Sequence, residues 1–110
     1  MAGYFEIKAA AQSQFMFNLK SGNSEVILTS QMYGTKQAAQ TGIESVKANA
    51  ATDARYERKV ATDKSPYFVL KGGNGEVIGT SEMYSSTSAM EAGIAAVKAN
   101  APGAAVKDQA

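Results

Sequence analysis

The chain has 110 residues, with 11 Lys and Arg against 10 Asp and Glu, so its formal net charge of +1 points to neither a polyanion nor a membrane surface. It contains no His, Cys or Trp, which excludes disulfides, Cys or His metal sites, Ser–His triads, thiol nucleophiles and imidazole acid–base chemistry within the chain. Leu, Ile, Val and Phe total 19 residues against 20 Ala, but the low net charge and the regular placement of the larger apolar side chains predict a folded domain with a modest core.

In chain order, the segment Met1-Ala2-Gly3-Tyr4-Phe5-Glu6 lacks the basic start and apolar core of a signal peptide. No apolar stretch reaches the roughly 20 residues that span a bilayer, so a cytoplasmic protein without a membrane partner is expected. Phe5-Glu6-Ile7-Lys8 and Met16-Phe17-Asn18-Leu19-Lys20 alternate apolar with polar, the mark of half-buried strands. Ser21-Gly22-Asn23-Ser24 suits a tight turn into a third strand, Glu25-Val26-Ile27-Leu28-Thr29. The period then changes: Ala39, Ile43, Val46 and Ala50 predict an amphipathic helix over Lys36 to Asn49. Thr35 is placed to cap it, Lys47 to complement its C-terminal dipole, and Asn49 to take a left-handed exit.

The same order recurs. Residues 5–50 align with 56–101 at a constant offset of 51, and 23 of those 46 pairs are identical, which marks a duplicated unit. The second copy has Phe68 and Leu70 in its middle strand, the turn Gly72-Gly73-Asn74-Gly75, the strand Glu76-Val77-Ile78-Gly79-Thr80 and a helix lined by Met90, Ile94, Val97 and Ala101. Ser86, Lys98 and Asn100 repeat the cap, cation and exit positions.

We therefore expect an α+β fold in one domain over 1–110. It comprises repeat 1 at 4–50, a connector at 51–55, repeat 2 at 56–101 and a tail at 102–110. About 50 residues without a staple sit near the limit of independent stability. Two tandem βββα units are thus expected to share a core through a pseudo-two-fold, with six mainly antiparallel strands and both helices on one face. Mid-helix Gly42 and Gly93 are read as supporting that close approach. The tail Ala104-Ala105-Val106-Lys107-Asp108 is expected to add a short edge strand. A monomer with an internal pseudo-dimer is the expected state, a homodimer the variant.

The pieces Phe17-Asn18-Leu19-Lys20, Gly22-Asn23, Met32-Tyr33 and Gly42-Ile43-Glu44-Ser45-Val46-Lys47 resemble the YegP-like bacterial family. So do their second copies, Phe68-Val69-Leu70-Lys71, Met83-Tyr84 and Gly93-Ile94-Ala95-Ala96-Val97-Lys98. The resemblance covers essentially the whole chain. It implies a small cytoplasmic βββα-repeat protein, with single-repeat relatives that pair between chains, and it carries over no catalytic residue. Gly72-Gly73-Asn74-Gly75 has more glycines than the resemblance suggests.

Identical positions in a duplicated fold report core and turn needs first. Phe17 and Phe68, Leu19 and Leu70, Val26 and Val77, and Ile43 and Ile94 are read as core. The Met32-Tyr33 and Met83-Tyr84 pairs are also read as packing rather than as a ligand cleft. The pairs Thr29-Ser30 and Thr80-Ser81, before each helix, are weighed as anion ligands and read instead as turn and cap chemistry; no phosphate-loop pattern occurs. Glu6, Glu25, Glu57 and Glu76 recur at strand starts, where cross-strand pairing with Lys8, Lys20, Lys59 and Lys71 explains them better than a Glu-dependent hydrolase. No cofactor, metal or catalytic set is expected. The reading is a non-enzymatic module binding a protein or small ligand through the exposed sheet face or the inter-repeat seam, with Asn18, Lys20, Tyr67 and Lys71 as the interaction surface. Single-stranded nucleic acid on the same Lys and Tyr residues is the alternative, disfavoured by the charge balance and by a single aromatic on that face.

Overall fold

The computed structural model describes residues 3–110; Met1 and Ala2, part of the segment read for targeting signals, lie outside it. Strands β1 (Tyr4–Ala10), β2 (Gln14–Lys20) and β3 (Val26–Thr29) precede helix α1 (Lys36–Asn49). Strands β4 (Tyr56–Val60), β5 (Pro66–Lys71) and β6 (Val77–Thr80) precede α2 (Thr87–Asn100), and β7 (Ala105–Asp108) follows. No helix among the described residues is long and apolar enough to cross a membrane.

The helices form where the 3.6-residue period and the caps place them. Ala38 N–H donates to Thr35 Oγ1 at 3.0 Å and Ala89 N–H to Ser86 Oγ at 3.1 Å, each satisfying a free donor of a first turn. The expected left-handed exit is absent. Asn49 and Asn100 remain helical and turn their amides back onto Ser45 O and Ala96 O, and Ala50 and Ala101 continue in right-handed geometry. The hairpin turns do use positive φ, at Ser24 (68°) and its counterpart Gly75 (83°), so the extra glycine in the second turn removes a strain that the first turn carries.

The six repeat strands are joined by the edge strand expected from the tail, and the sheet, expected to be mainly antiparallel, is a mixed one of seven strands in the order β4-β5-β6-β3-β2-β1-β7. Six strands pair antiparallel, while β7 lies parallel to β1 at the edge. A C-terminal segment leaving α2 can cover the β1 edge only in that direction, and doing so breaks the internal symmetry. Elsewhere the symmetry shows in the register: Thr29 pairs with its own counterpart Thr80 at the centre of the sheet.

A β-bulge in each unit sets which side chains face inward. The ladder slips between Leu19 and Lys20 and again between Leu70 and Lys71. Leu28 therefore opposes Leu19 while Val26 opposes Lys20, and Ile27 is the extra residue. Val26 and Val77, expected in the core, are instead 36% and 37% exposed, whereas Ile27 and Ile78 are buried. The bulge reverses the alternation that a regular strand would keep.

One core joins Phe5, Ile7, Phe17, Leu19, Leu28, Phe68 and Leu70 of the strands to Ile43, Val46, Met90, Ile94 and Val97 of both helices. Helix α1 reaches across to β5 and β6, and α2 reaches back to β3. At the centre, Leu28 is fully buried against Gly79, its counterpart at offset 51. Gly42 and Gly93 have a different role from the one expected. Each makes room for a tyrosine of its own unit, since a Cβ there would lie 2.8 Å from Tyr33 Cζ or 2.7 Å from Tyr84 Cζ.

Because each helix packs partly on the other unit's strands, half of the chain lacks part of its core. A chain ending at Ala54 is expected to be unfolded, or folded only as a dimer at high concentration, by circular dichroism and sedimentation. A stable monomeric half would contradict the shared core.

Candidate interaction surface

The face of the sheet opposite the helices is organised as one row. Lys107, Glu6, Asn18, Thr29, Thr80, Val69 and Glu57 are successive register partners across all seven strands. Alternation then places Tyr4, Lys8, Met16, Lys20 and Val26, and Lys59, Tyr67, Lys71 and Val77, on the same face. Six strand spacings make this face about 29 Å wide.

Of the four residues expected to form the surface, Lys20 and Lys71 stand on this face but are ion-paired. Lys20 Nζ lies 2.9 Å from Glu6 Oε1 and Lys71 Nζ 2.6 Å from Glu57 Oε1. Lys8 and Lys59 approach the same two carboxylates at 3.2 and 4.0 Å from two residues along the same strand, so of the expected cross-strand pairs only those of Lys20 and Lys71 form. Tyr67 is half-buried beside Lys59 in the register. Asn18 is only 6% exposed, and its Nδ2 donates to Thr29 Oγ1 at 3.0 Å, so it stiffens the centre of the face and offers a partner little.

Two residues of the face escape the sequence reading. Tyr4 lies two positions before Glu6, a signal already present in the alternation, and is the register partner of Lys20. Lys107 comes from β7, and its Nζ sits 4.3 Å from the centre of the Tyr4 ring, a cation–π contact. No local pattern in the tail announces that contact.

The carboxylates of the face are held in their charged form. The Lys20 ammonium, followed by Lys8, keeps Glu6 below the usual carboxylate range, and Lys71 does the same for Glu57. A general acid needs the opposite shift. Glu25 and Glu76 do not join these lysine clusters: they close the hairpin turns, where Glu25 and Glu76 N–H groups face Asn23 and Asn74 side-chain oxygens.

Of the hydroxyls weighed as anion ligands, those of Ser30 and Ser81 are already used, and Thr29 Oγ1 accepts from Asn18. Ser30 Oγ accepts from Phe17 N–H at 2.8 Å and donates to Gln31 O, and Ser81 repeats this with Phe68 and Glu82. Tyr33 and Tyr84 stack on Phe17 and Phe68 at 6.1 and 6.3 Å between ring centres, and partial burial raises their hydroxyl pKa values. Their Met neighbours do not join the core: Met32 and Met83 are 52% and 54% exposed.

At the seam, a shallow cleft of about 630 Å³ lies between the first hairpin, at Ser21, Asn23 and Glu25, and Ala96 and Asn100 of α2. Its symmetry counterpart is filled, because Arg55 reaches over Gly73 and donates from Nε to Asn49 Oδ1 at 3.1 Å. Among the described residues no group of His, Cys, Asp or Glu is arranged to hold a metal ion.

Two helices packed with a mixed seven-stranded sheet define an α+β domain built on an internal duplication. Each half matches a domain of unknown function, DUF1508, over residues 10–57 and 61–108. The chain is 58% identical to a UPF0339 protein of Bordetella pertussis, covering 99% of this chain and 97% of that one. It is 47% identical to YegP of Escherichia coli, covering 98% of each. It belongs to the UPF0339 family, of which YegP is a member. Solution NMR structures of the Shewanella oneidensis UPF0339 protein SO3888 and of E. coli YegP superpose on it with TM-scores of 0.92 and 0.93. They are 48% and 47% identical in sequence; the matches cover 98% and 99% of this chain and 92% and 94% of theirs. The second of these is described as a protein of unknown function.

Proposed function

We propose that this chain is a non-enzymatic binding module that takes its partner on the open face of the sheet rather than in the inter-repeat seam. The observation that carries the reading is the unequal treatment of the two faces. One joins the helices in a closed core, while the other has no covering element among the described residues yet runs as a single ordered row across seven strands. The lowered carboxylate pKa values of Glu6 and Glu57 weigh against a Glu-dependent hydrolase. The seam cleft is shallow and is lined by the first hairpin turn with Ile27, Ala96 and Asn100.

Val26→Glu with Val77→Glu places two new charges on the face at positions free of ion pairs and already one-third exposed. Affinity capture from a native lysate is expected to recover partners with the parent chain and with a helix-surface control, Glu44→Lys, but not with the valine double variant. Loss of capture with Glu44→Lys alone would overturn the sheet-face assignment. Substrate turnover abolished by Glu25→Gln or Glu76→Gln would overturn the non-enzymatic one.

A further inference from the structure

Resting on the sheet-face reading, we propose that the ligand of this face is a single-stranded nucleic acid. The near-neutral total charge conceals a sorted distribution. The strand residues of the open face carry five lysines, Lys8, Lys20, Lys59, Lys71 and Lys107, against two glutamates, Glu6 and Glu57. The rest of the chain is left with six basic and eight acidic residues, Glu25 and Glu82 among them in loops beside the strands. A phosphate on the sheet is governed by charges within the Debye length of about 10 Å at 0.1 M salt, so the local excess of +3 matters more than the total. Each glutamate is shared by two lysines, so each cluster keeps an excess of one positive charge on the face.

The aromatic count also changes. Tyr4 and Tyr67 share the open face, and the strand order puts both on one side of the central row. Four antiparallel steps lead from β1 to β5, so the two strands run parallel, and each tyrosine lies two residues before its row position, Glu6 or Val69. The rings are four strand spacings apart, about 19 Å, with Lys20 and Val26 following Tyr4 in the register between them. Rings flanked by ammonium groups on an uncovered sheet are the elements of a base-stacking platform. A second copy of this chain would meet the face with like charge, which disfavours self-association there.

The test is fluorescence anisotropy with a labelled mixed-sequence 12-nucleotide RNA and its DNA equivalent, a 12-base-pair duplex and a 12-residue polyglutamate peptide, with amide NMR shifts to locate contacts. The single strands are expected to bind best, weakening roughly 20- to 130-fold between 50 and 200 mM salt for three to five neutralised phosphates. Lys20→Ala with Lys71→Ala is expected to flatten the salt slope by about 1.4. Tyr67→Ala is expected to weaken binding at least about fivefold with the slope unchanged, and Tyr67→Phe to restore it. Thermal melts check that each variant is folded. No binding at 20 mM salt, or equal binding of the duplex or of polyglutamate, overturns the nucleic-acid assignment. If polyglutamate alone shifts open-face amides, an acidic protein is the partner and the sheet-face reading stands; single-strand shifts confined to the helices overturn both.

Discussion

Replacing Gly79 by Ala is expected to destabilise the protein by about 1–3 kcal/mol, and by Leu still more, although Gly is ordinarily the poorer strand residue. The reason is the symmetry axis. Leu28 and Gly79 are equivalent in the two units, and a Cβ at Gly79 would stand 2.6 Å from both Leu28 Cγ and Cδ2. There is room for one large side chain, and Leu28, fully buried, fills it. Leu28→Ala alone is expected to cost about 2–5 kcal/mol through lost burial and the cavity left behind. The exchange Leu28→Gly with Gly79→Leu moves that side chain across the pseudo-two-fold and is expected to recover more than half of the summed single losses in urea melts. Strictly additive losses would show that the two positions do not share one space.

Gly42→Ala and Gly93→Ala are expected to invert the helix-propensity rule. In an open helix each change would gain about 1 kcal/mol. Here the new methyl meets the tyrosine ring of its own unit, with the hydroxyl of Tyr33 or Tyr84 as the nearest group. The ring is held in place by stacking on Phe17 or Phe68. A net loss of about 1–3 kcal/mol is expected at each site, measured by thermal or urea melts. A variant in which Tyr33→Ala accompanies Gly42→Ala is expected to lose less than the two changes summed. A gain in stability from Gly42→Ala alone would show that the tyrosine moves aside at no cost.

Both effects sit where the sequence displays the residue but hides its neighbour. The glycines at 42 and 93 announce a packing constraint, and the reading assigns it to the contact between units; the structure assigns it to a tyrosine nine residues earlier in the same unit. Val26 and Val77 look inward because period-two alternation carries no mark for a bulge, which reverses the face of every residue beyond it. Met32 and Met83 are apolar and duplicated, yet exposed.

The candidate surface divides the same way. Lys20, Tyr67 and Lys71 are assigned to the open face by alternation alone, and the pairing of Glu6 and Glu57 with their lysines follows from strand neighbourhood. That Lys107 joins the face and that Tyr4 and Tyr67 share one side of the central row depend on strand order, and that Asn18 is spent on Thr29 depends on the register of the first hairpin.

By itself the sequence determines what is local or periodic: the duplication at offset 51, the helix spans with their Thr35 and Ser86 caps, the hairpins and the set of core residues in the helices. Those follow from hydrogen bonding and burial within a few residues along the chain. Tertiary structure decides the parallel docking of β7, the single leucine on the axis and the sorting of five lysines onto one face. These depend on which strands become neighbours, and strand order is set by burying two incomplete cores at once, a condition that no short stretch of sequence records.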